Sequence, residues 1–163
     1  MNLYSLLNAL EDLESEMALM YRDFEQRFQG DEEACNVFRQ LYRDELEHKN
    51  IVTYILRLVM QNPKEFSDVD ESPGDILEMT EGVKKIRLGK ENLGLVEAIL
   101  LAENLESSAV EHHFRTAAVK ANPQLAEMCK NLGRADAVHV RTLQDLMKLK
   151  NLPSIPERSR NRE

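Results

Sequence analysis

The stretch YRDELEHKN, residues 42–50, places charged side chains on a helix face that is otherwise apolar. Read at helical spacing, the flanking apolar residues form one stripe: Val37, Phe38 and Leu41 before the stretch, and Val52, Ile55, Leu56 and Val59 after it. Glu45 and His48 occupy the two steps of this stripe that should be apolar. When a helix of a soluble protein turns a carboxylate and an imidazole toward the core, another group must compensate the cost of burying them.

Polar residues interrupt the apolar stripes of three other predicted helices in the same way. In chain order, the interrupting residues are Glu14, then Glu103 and Glu106, and finally Asp136 and His139. Residues three apart lie on one face of a helix, so each acid-x-x-His pair can converge on one centre. All four stripes therefore carry acids near mid-helix, and two of them carry a histidine as well.

Burying a charge without compensation costs several kcal/mol. Summed over five carboxylates and two imidazoles, this cost exceeds the net stability of a whole domain. The five carboxylates carry five negative charges, and two divalent irons would supply four positive charges. Carboxylate oxygens with imidazole nitrogens suit iron or manganese. One set per helix, in the order Glu, ExxH, Glu pair and DxxH, is the ligand plan of di-iron carboxylate bundles. We therefore predict a dinuclear metal site, with interhelical salt bridges as the alternative.

The periodicity predicts an all-α protein built as a four-helix bundle, in which two helical hairpins are joined by a long crossover. The four helices are expected at about residues 3–29, 31–61, 91–120 and 122–150. The crossover at residues 63–90 is expected to hold a short helix after Pro73. We assign residues 1–150 to the bundle and expect residues 151–163 to be a disordered tail.

Composition and charge exclude several classes of partner. The chain has 163 residues, and its formal net charge of −8 argues against nucleic acid or an anionic membrane surface as partner.

Cys35 and Cys129 lie far apart without a CxxC motif, which favours two buried thiols in a reducing compartment over a long-range disulfide. The N-terminus lacks the basic segment of a signal peptide, and no apolar run approaches the roughly 20 residues that span a bilayer. We expect a cytoplasmic protein.

With these motifs in place, the sequence resembles the rubrerythrin-type proteins of the ferritin-like superfamily. The stretch ESEMALMYRDF is similar to the family's first-helix motif, in which the ligand glutamate precedes a tyrosine by seven residues, here Glu14 and Tyr21. FRQLYRDELEH matches the second-helix motif, AILLAENLESS is similar to the third, and GRADAVH falls where the family has its second ExxH. The resemblance covers about residues 3–148 and implies a ferritin-like bundle.

Two departures from the family pattern stand out. Asp136 occupies the position of a glutamate, and three outcomes are open: direct ligation with a shifted backbone, ligation through water, or a weaker metal position. The family's type member also carries a C-terminal rubredoxin domain with a Cys₄ iron site, and this sequence ends without one. Either an electron relay is expected to come from another protein, or the family's peroxidase cycle is altered here.

The resemblance implies that a reduced di-iron site gives two electrons to hydrogen peroxide, with manganese or zinc as substitutes for iron. The implied partners are hydrogen peroxide or dioxygen, a rubredoxin-like electron donor and a second copy in a homodimer. One glutamate of the pair on the predicted third helix, Glu103 or Glu106, is implied to be a ligand in one oxidation state only. Tyr21 is the candidate catalytic residue, with a plain core tyrosine as the alternative. A ferroxidase or iron-handling protein and a metal-stabilised binding scaffold remain the alternative functions.

Overall fold

The computed structural model describes residues 3–70, 72–89 and 93–152, with the backbone alone at 109–113. All regular secondary structure in these residues is helical. The helices are α1 (Leu3–Arg27), α2 (Glu32–Gln61), α3 (Gly74–Leu88), α4 (Leu95–Glu106), α5 (Ala109–Ala121) and α6 (Ala126–Leu149). Single 3₁₀ turns occupy Pro63–Glu65 and Pro123–Leu125. The predicted all-α class is confirmed.

Helices α1 and α2 form the expected antiparallel hairpin. Asp31 caps α2, because its carboxylate accepts a hydrogen bond of 3.1 Å from the backbone N–H of Ala34. At this end of the hairpin, aromatic rings of both helices pack against one another. Phe38 of α2 lies 5.2 Å from Phe24 and 6.3 Å from Tyr21, measured between ring centroids. The contact fixes the register in which the two helices present their polar residues to each other.

The prediction of one continuous third helix at residues 91–120 is wrong. The backbone leaves the helix at Ser107 and Ser108, so that α4 ends at Glu106 and α5 begins at Ala109. Serine hydroxyls compete with the backbone for hydrogen bonds, which weakens a helix at such a pair. The break follows directly after Glu106, whose side chain is buried.

The crossover contains a longer helix than expected, because α3 spans 15 residues. Ile76, Thr80 and Val83 are its buried residues, and the helix packs along α1. At the far end of α3, Arg87 Nε donates a hydrogen bond of 3.0 Å to Glu16 Oε2 of α1. The crossover is thus anchored to the first hairpin by an apolar face and an ion pair.

The last helix begins and ends at recognisable caps. Asn122 accepts a 2.9 Å hydrogen bond from the N–H of Gln124, which opens the turn that leads into α6. At the other end, Asn151 adopts a left-handed conformation with φ of 51°, and the N–H of Leu152 bonds to the carbonyl of Met147. The helix ends at Leu149, close to the expected end at about residue 150. The predicted tail is described at residues 151 and 152, and its residues 153–163 lie outside the described part of the chain.

Two smaller expectations can be compared with the structure. Cys35 and Cys129 are both buried and are not joined by a disulfide, as predicted. Among the described residues, none of the helices combines the length and the apolar character that a membrane crossing requires.

Candidate metal centre

Five of the seven predicted ligands meet inside the bundle. They come from four helices: Glu14 from α1, Glu45 and His48 from α2, Glu106 from α4 and His139 from α6. None of the five is more than 8% exposed. Each lies on the apolar face of its helix, so the packing that buries the neighbouring leucines and methionines also carries these polar groups into the interior.

The ligand atoms form two groups that share one residue. Glu14, Glu45 and His48 make the first group, and Glu45, Glu106 and His139 make the second, with the atoms of each group within 4.8 Å of one another. The two oxygens of Glu45 face different imidazoles. Oε2 lies 3.4 Å from His48 Nδ1, and Oε1 lies 3.3 Å from His139 Nδ1. Glu45 is therefore placed between two adjacent sites.

The remaining contacts close each group. His48 Nδ1 lies 3.8 Å from Glu14 Oε2, and His139 Nδ1 lies 3.0 Å from Glu106 Oε2. The two imidazole rings are nearly parallel, with their centroids 5.3 Å apart. Both histidines thus turn the same ring nitrogen, Nδ1, toward the carboxylates.

The donor set fits a metal ion better than it fits a closed hydrogen-bond network. Among the described side chains, Glu45 Oε1 is the buried polar atom that has no hydrogen-bond partner. Leaving a carboxylate oxygen buried without a hydrogen bond is costly, and a metal cation in contact with it removes that cost. Oxygen and imidazole ligands together are the set that iron or manganese accepts. The two groups are candidate carboxylate and histidine metal sites.

Without a metal, the carboxylates are under electrostatic strain. Burial, and secondarily the charge of Glu45, raises the pKa of Glu14 well above its ordinary value. Burial, together with the charge of Glu106, raises the pKa of Glu45 to about 7. Burial acts to lower the pKa of His139, but its contacts with Glu106 and Glu45 outweigh this and raise it to about 11. The metal-free site therefore attracts positive charge.

Tyr21 belongs to the same cluster. Its side chain is fully buried, and its hydroxyl donates a hydrogen bond of 2.6 Å to Glu106 Oε1. The other oxygen of Glu106 faces His139. Tyr21 thus orients a carboxylate of the second group, which distinguishes it from a tyrosine that only fills the core.

Asp44 is a residue that the sequence analysis did not identify. Its Oδ2 lies 3.3 Å from His139 Nε2, on the side of the ring that points away from Glu45 and Glu106. Carboxylates in this position fix the orientation and tautomer of a metal-binding histidine. The available signal was the acid directly before Glu45, but nothing in the pattern indicated that it would reach a histidine 95 residues away.

Two of the predicted ligands lie in neither group and have other partners. Glu103 Oε1 accepts a 2.7 Å hydrogen bond from Gln144 Nε2 of α6. The Asp136 carboxylate pairs with the guanidinium of Arg115 from α5. Their roles as ligands stay predictions, while the structure gives each a protein partner.

Comparison with known proteins agrees with this geometry. The model of the Rubrerythrin family matches residues 6–147, a range that contains all five residues of the two groups. Searches of curated proteins and of solved structures gave no match. The chain belongs to the rubrerythrin family.

Proposed function

We propose that the two groups bind a pair of iron ions and that the protein reduces hydrogen peroxide to water with electrons from a separate donor. The observation that carries this proposal is the position of Glu45, whose two oxygens face two imidazoles and which belongs to both groups. Glu45 would therefore help to hold both ions of the pair. Manganese or zinc would occupy the same ligands as substitutes.

When bound, a pair of ferrous ions supplies the two electrons that, with two protons, convert one hydrogen peroxide molecule into two of water. The protein residues hold the ligands in place for this chemistry. Asp44 accepts from Nε2 of His139, which leaves Nδ1 directed at Glu45 and Glu106. Tyr21 holds the other side of Glu106 through its hydroxyl.

The electron donor is proposed to be a separate rubredoxin-like protein. The sequence holds two cysteines, Cys35 and Cys129, which are too few for a Cys₄ iron site within these 163 residues. Two electrons from the donor would return the site to its reduced form after each peroxide. A cytoplasmic location is part of this proposal, because a reducing compartment suits both the donor and two unbonded thiols.

A homodimer is proposed on the character of α4. Its sequence LVEAILLAENLE is apolar on almost all sides, and Leu95, Leu100, Leu101 and Leu105 are only partly buried. Helices that are apolar all round are normally covered on all sides. A second copy packed on α4 would supply this cover, and the oligomeric state in solution tests it.

The first experiment measures metal content and peroxide reactivity together. Protein loaded anaerobically with ferrous iron is expected to hold about two irons per chain. Addition of one peroxide per pair should oxidise both irons within the mixing time, and dioxygen should react more slowly. The visible spectrum of the product reports the oxidation, and iron retained after desalting reports whether the ions stay bound.

Two other results would point to the alternative functions. Faster oxidation by dioxygen, with release or mineralisation of the iron, would indicate a ferroxidase. Binding of metal that stabilises the fold but reacts with neither oxidant would indicate a metal-stabilised scaffold. Absence of binding would leave the cluster as a network of interhelical salt bridges and refute the proposal.

A further inference from the structure

Asp136, which the sequence places among the ligands, is held by a cation from a neighbouring helix. The Nη1 group of Arg115 in α5 donates to Oδ2 of Asp136 in α6. The two side chains are only 18% and 10% exposed, so solvent screens this ion pair less than it screens a surface pair. The ion pair with Arg115 therefore restrains the position of the Asp136 carboxylate.

Gly133 provides the space that this contact needs. It lies three residues before Asp136 on α6, and residues at that spacing share a helix face. A Cβ at position 133 would lie 3.1 Å from Arg115 Nε and 3.3 Å from Cζ, so the guanidinium packs directly on the backbone of α6. A glycine inside a helix costs about 1 kcal/mol relative to alanine. Gly133 is explained by packing, because a side chain at this position would occupy the space of the Arg115 guanidinium.

Asp136 is buried three residues before His139 on the same face of α6, but it is in neither ligand group. Its negative charge is one of the causes, after burial and Glu45, that raise the pKa of Glu14. The aspartate is also one methylene shorter than the glutamate that the family pattern places there. Oδ2 of Asp136 would have to leave Arg115 in order to reach a metal.

We propose that Arg115 competes with the metal for Asp136, holding this carboxylate outside the centre and thereby lowering the affinity for the second metal ion. This inference rests on the metal centre described under the proposed function. It assigns Arg115 and Gly133 to the control of metal loading, and it makes the two ions unequal.

The charge balance agrees with unequal binding. With Asp136 paired and Glu103 bonded to another side chain, the cluster keeps the three carboxylates of Glu14, Glu45 and Glu106. One divalent ion leaves a net charge of −1, and a second brings it to +1. If Asp136 were released to the cluster, four carboxylates would balance two ions. The charge of the second ion is therefore not balanced, because the Asp136 carboxylate stays paired with Arg115.

The test is an anaerobic titration of the metal-free protein with Co²⁺, followed by calorimetry and by the visible absorption of the bound ion. The wild type is expected to bind two ions with clearly different affinities. Arg115→Met keeps much of the apolar stem but frees Asp136, and it should raise the affinity for the second ion on the order of tenfold, the scale on which groups next to metal ligands act. In Arg115→Met/Asp136→Asn no carboxylate is freed, so the gain should be lost.

The matched control is Arg87→Met, which removes a similar ion pair whose residues belong to neither ligand group. Arg87 and Glu16 lie 3.0 Å apart, and their side chains are 21% and 15% exposed. The control should leave both affinities unchanged. Arg115→Gln, which keeps N–H donors without the charge, should act in the same direction as Arg115→Met and serves if the latter does not fold.

Each outcome has a defined meaning. Binding of two ions whose affinities are unchanged or weakened by both Arg115 variants would overturn the competition and leave the metal centre intact. An equal gain in Arg115→Met and in the double variant would also overturn it, since the charge of Arg115 alone would then be the cause. Failure of wild type and variants alike to bind Co²⁺ would refute the metal centre and this inference together.

Discussion

Replacing Glu45 by glutamine should make the metal-free protein more stable while removing its capacity to bind metal. Glu45 is 2% exposed, and one of its oxygens has no hydrogen-bond partner. Its pKa is raised from an ordinary 4.5 to about 7, chiefly by burial. Glutamine keeps the shape of the side chain and cannot ionise, so it avoids the cost of burying a charge.

The size of the effect follows from the pKa shift. The folded state holds the proton of Glu45 more tightly than the unfolded state does, so this residue lowers the free energy of unfolding as the pH rises from 4.5 to 7. At 1.36 kcal/mol per pH unit the loss reaches about 3 kcal/mol above pH 7. The attraction between Glu45 and His139 is already contained in this value, because it is one of the causes that lower the pKa of Glu45.

The assay is urea unfolding in the presence of a chelator, at several pH values between 4.5 and 7.5. The stability difference between Glu45→Gln and wild type is expected to be near zero at the acid end and to grow toward neutral pH in favour of the variant. With ferrous iron or Co²⁺ in excess, wild type should gain stability and the variant should not. Glu47→Gln, the same change at an exposed position of α2, should alter the stability by less than about 0.5 kcal/mol. A metal-free variant less stable than wild type at pH 7, or one that retains the stabilisation by metal, would refute the reasoning.

Two further substitutions test the groups that support the ligands. Tyr21→Phe removes the buried hydroxyl that donates to Glu106, which should lower the free energy of unfolding by about 1.5–3 kcal/mol, as urea unfolding would show; an unchanged midpoint would mean that the bond contributes nothing. Asp44→Asn weakens the support of His139 and should lower metal affinity by about 10- to 100-fold in a chelator competition, whereas Asp145→Asn, a change at an exposed position of α6, should not. Equal affinities in the two aspartate variants would show that Asp44 does not orient the histidine.

Much of the metal centre could be predicted from periodicity alone. Polar residues at positions of a helix that are otherwise apolar, such as Glu45 and His48, indicate a site, because burying polar side chains without compensation is too costly to be accidental. The same reasoning placed Glu14, Glu106 and His139 in the interior, where the structure brings them together. Helix-face arguments succeed when the question is which side of a helix faces the core.

The partners of Asp136 and Glu103 could not be predicted in this way. Each lies on the expected face of its helix, but Asp136 pairs with a residue 21 positions away and Glu103 with one 41 positions away. The break at residues 107–108 was also missed, because two serines fit the pattern of a continuous helix. A pattern assigns a side chain to a face, while the choice among partners on that face depends on how neighbouring helices are docked.

The two ligand groups differ in how much of the fold each requires. Glu14, Glu45 and His48 all come from the α1–α2 hairpin, whose helices pack closely along their length. The second group takes one residue from each of α2, α4 and α6, so it exists only when the second half of the chain is docked on the hairpin. An ion bound by the first group would therefore stabilise a hairpin whose two helices are adjacent in sequence. An ion bound by the second group would join the two halves of the bundle, and its binding energy would add directly to the stability of that docking.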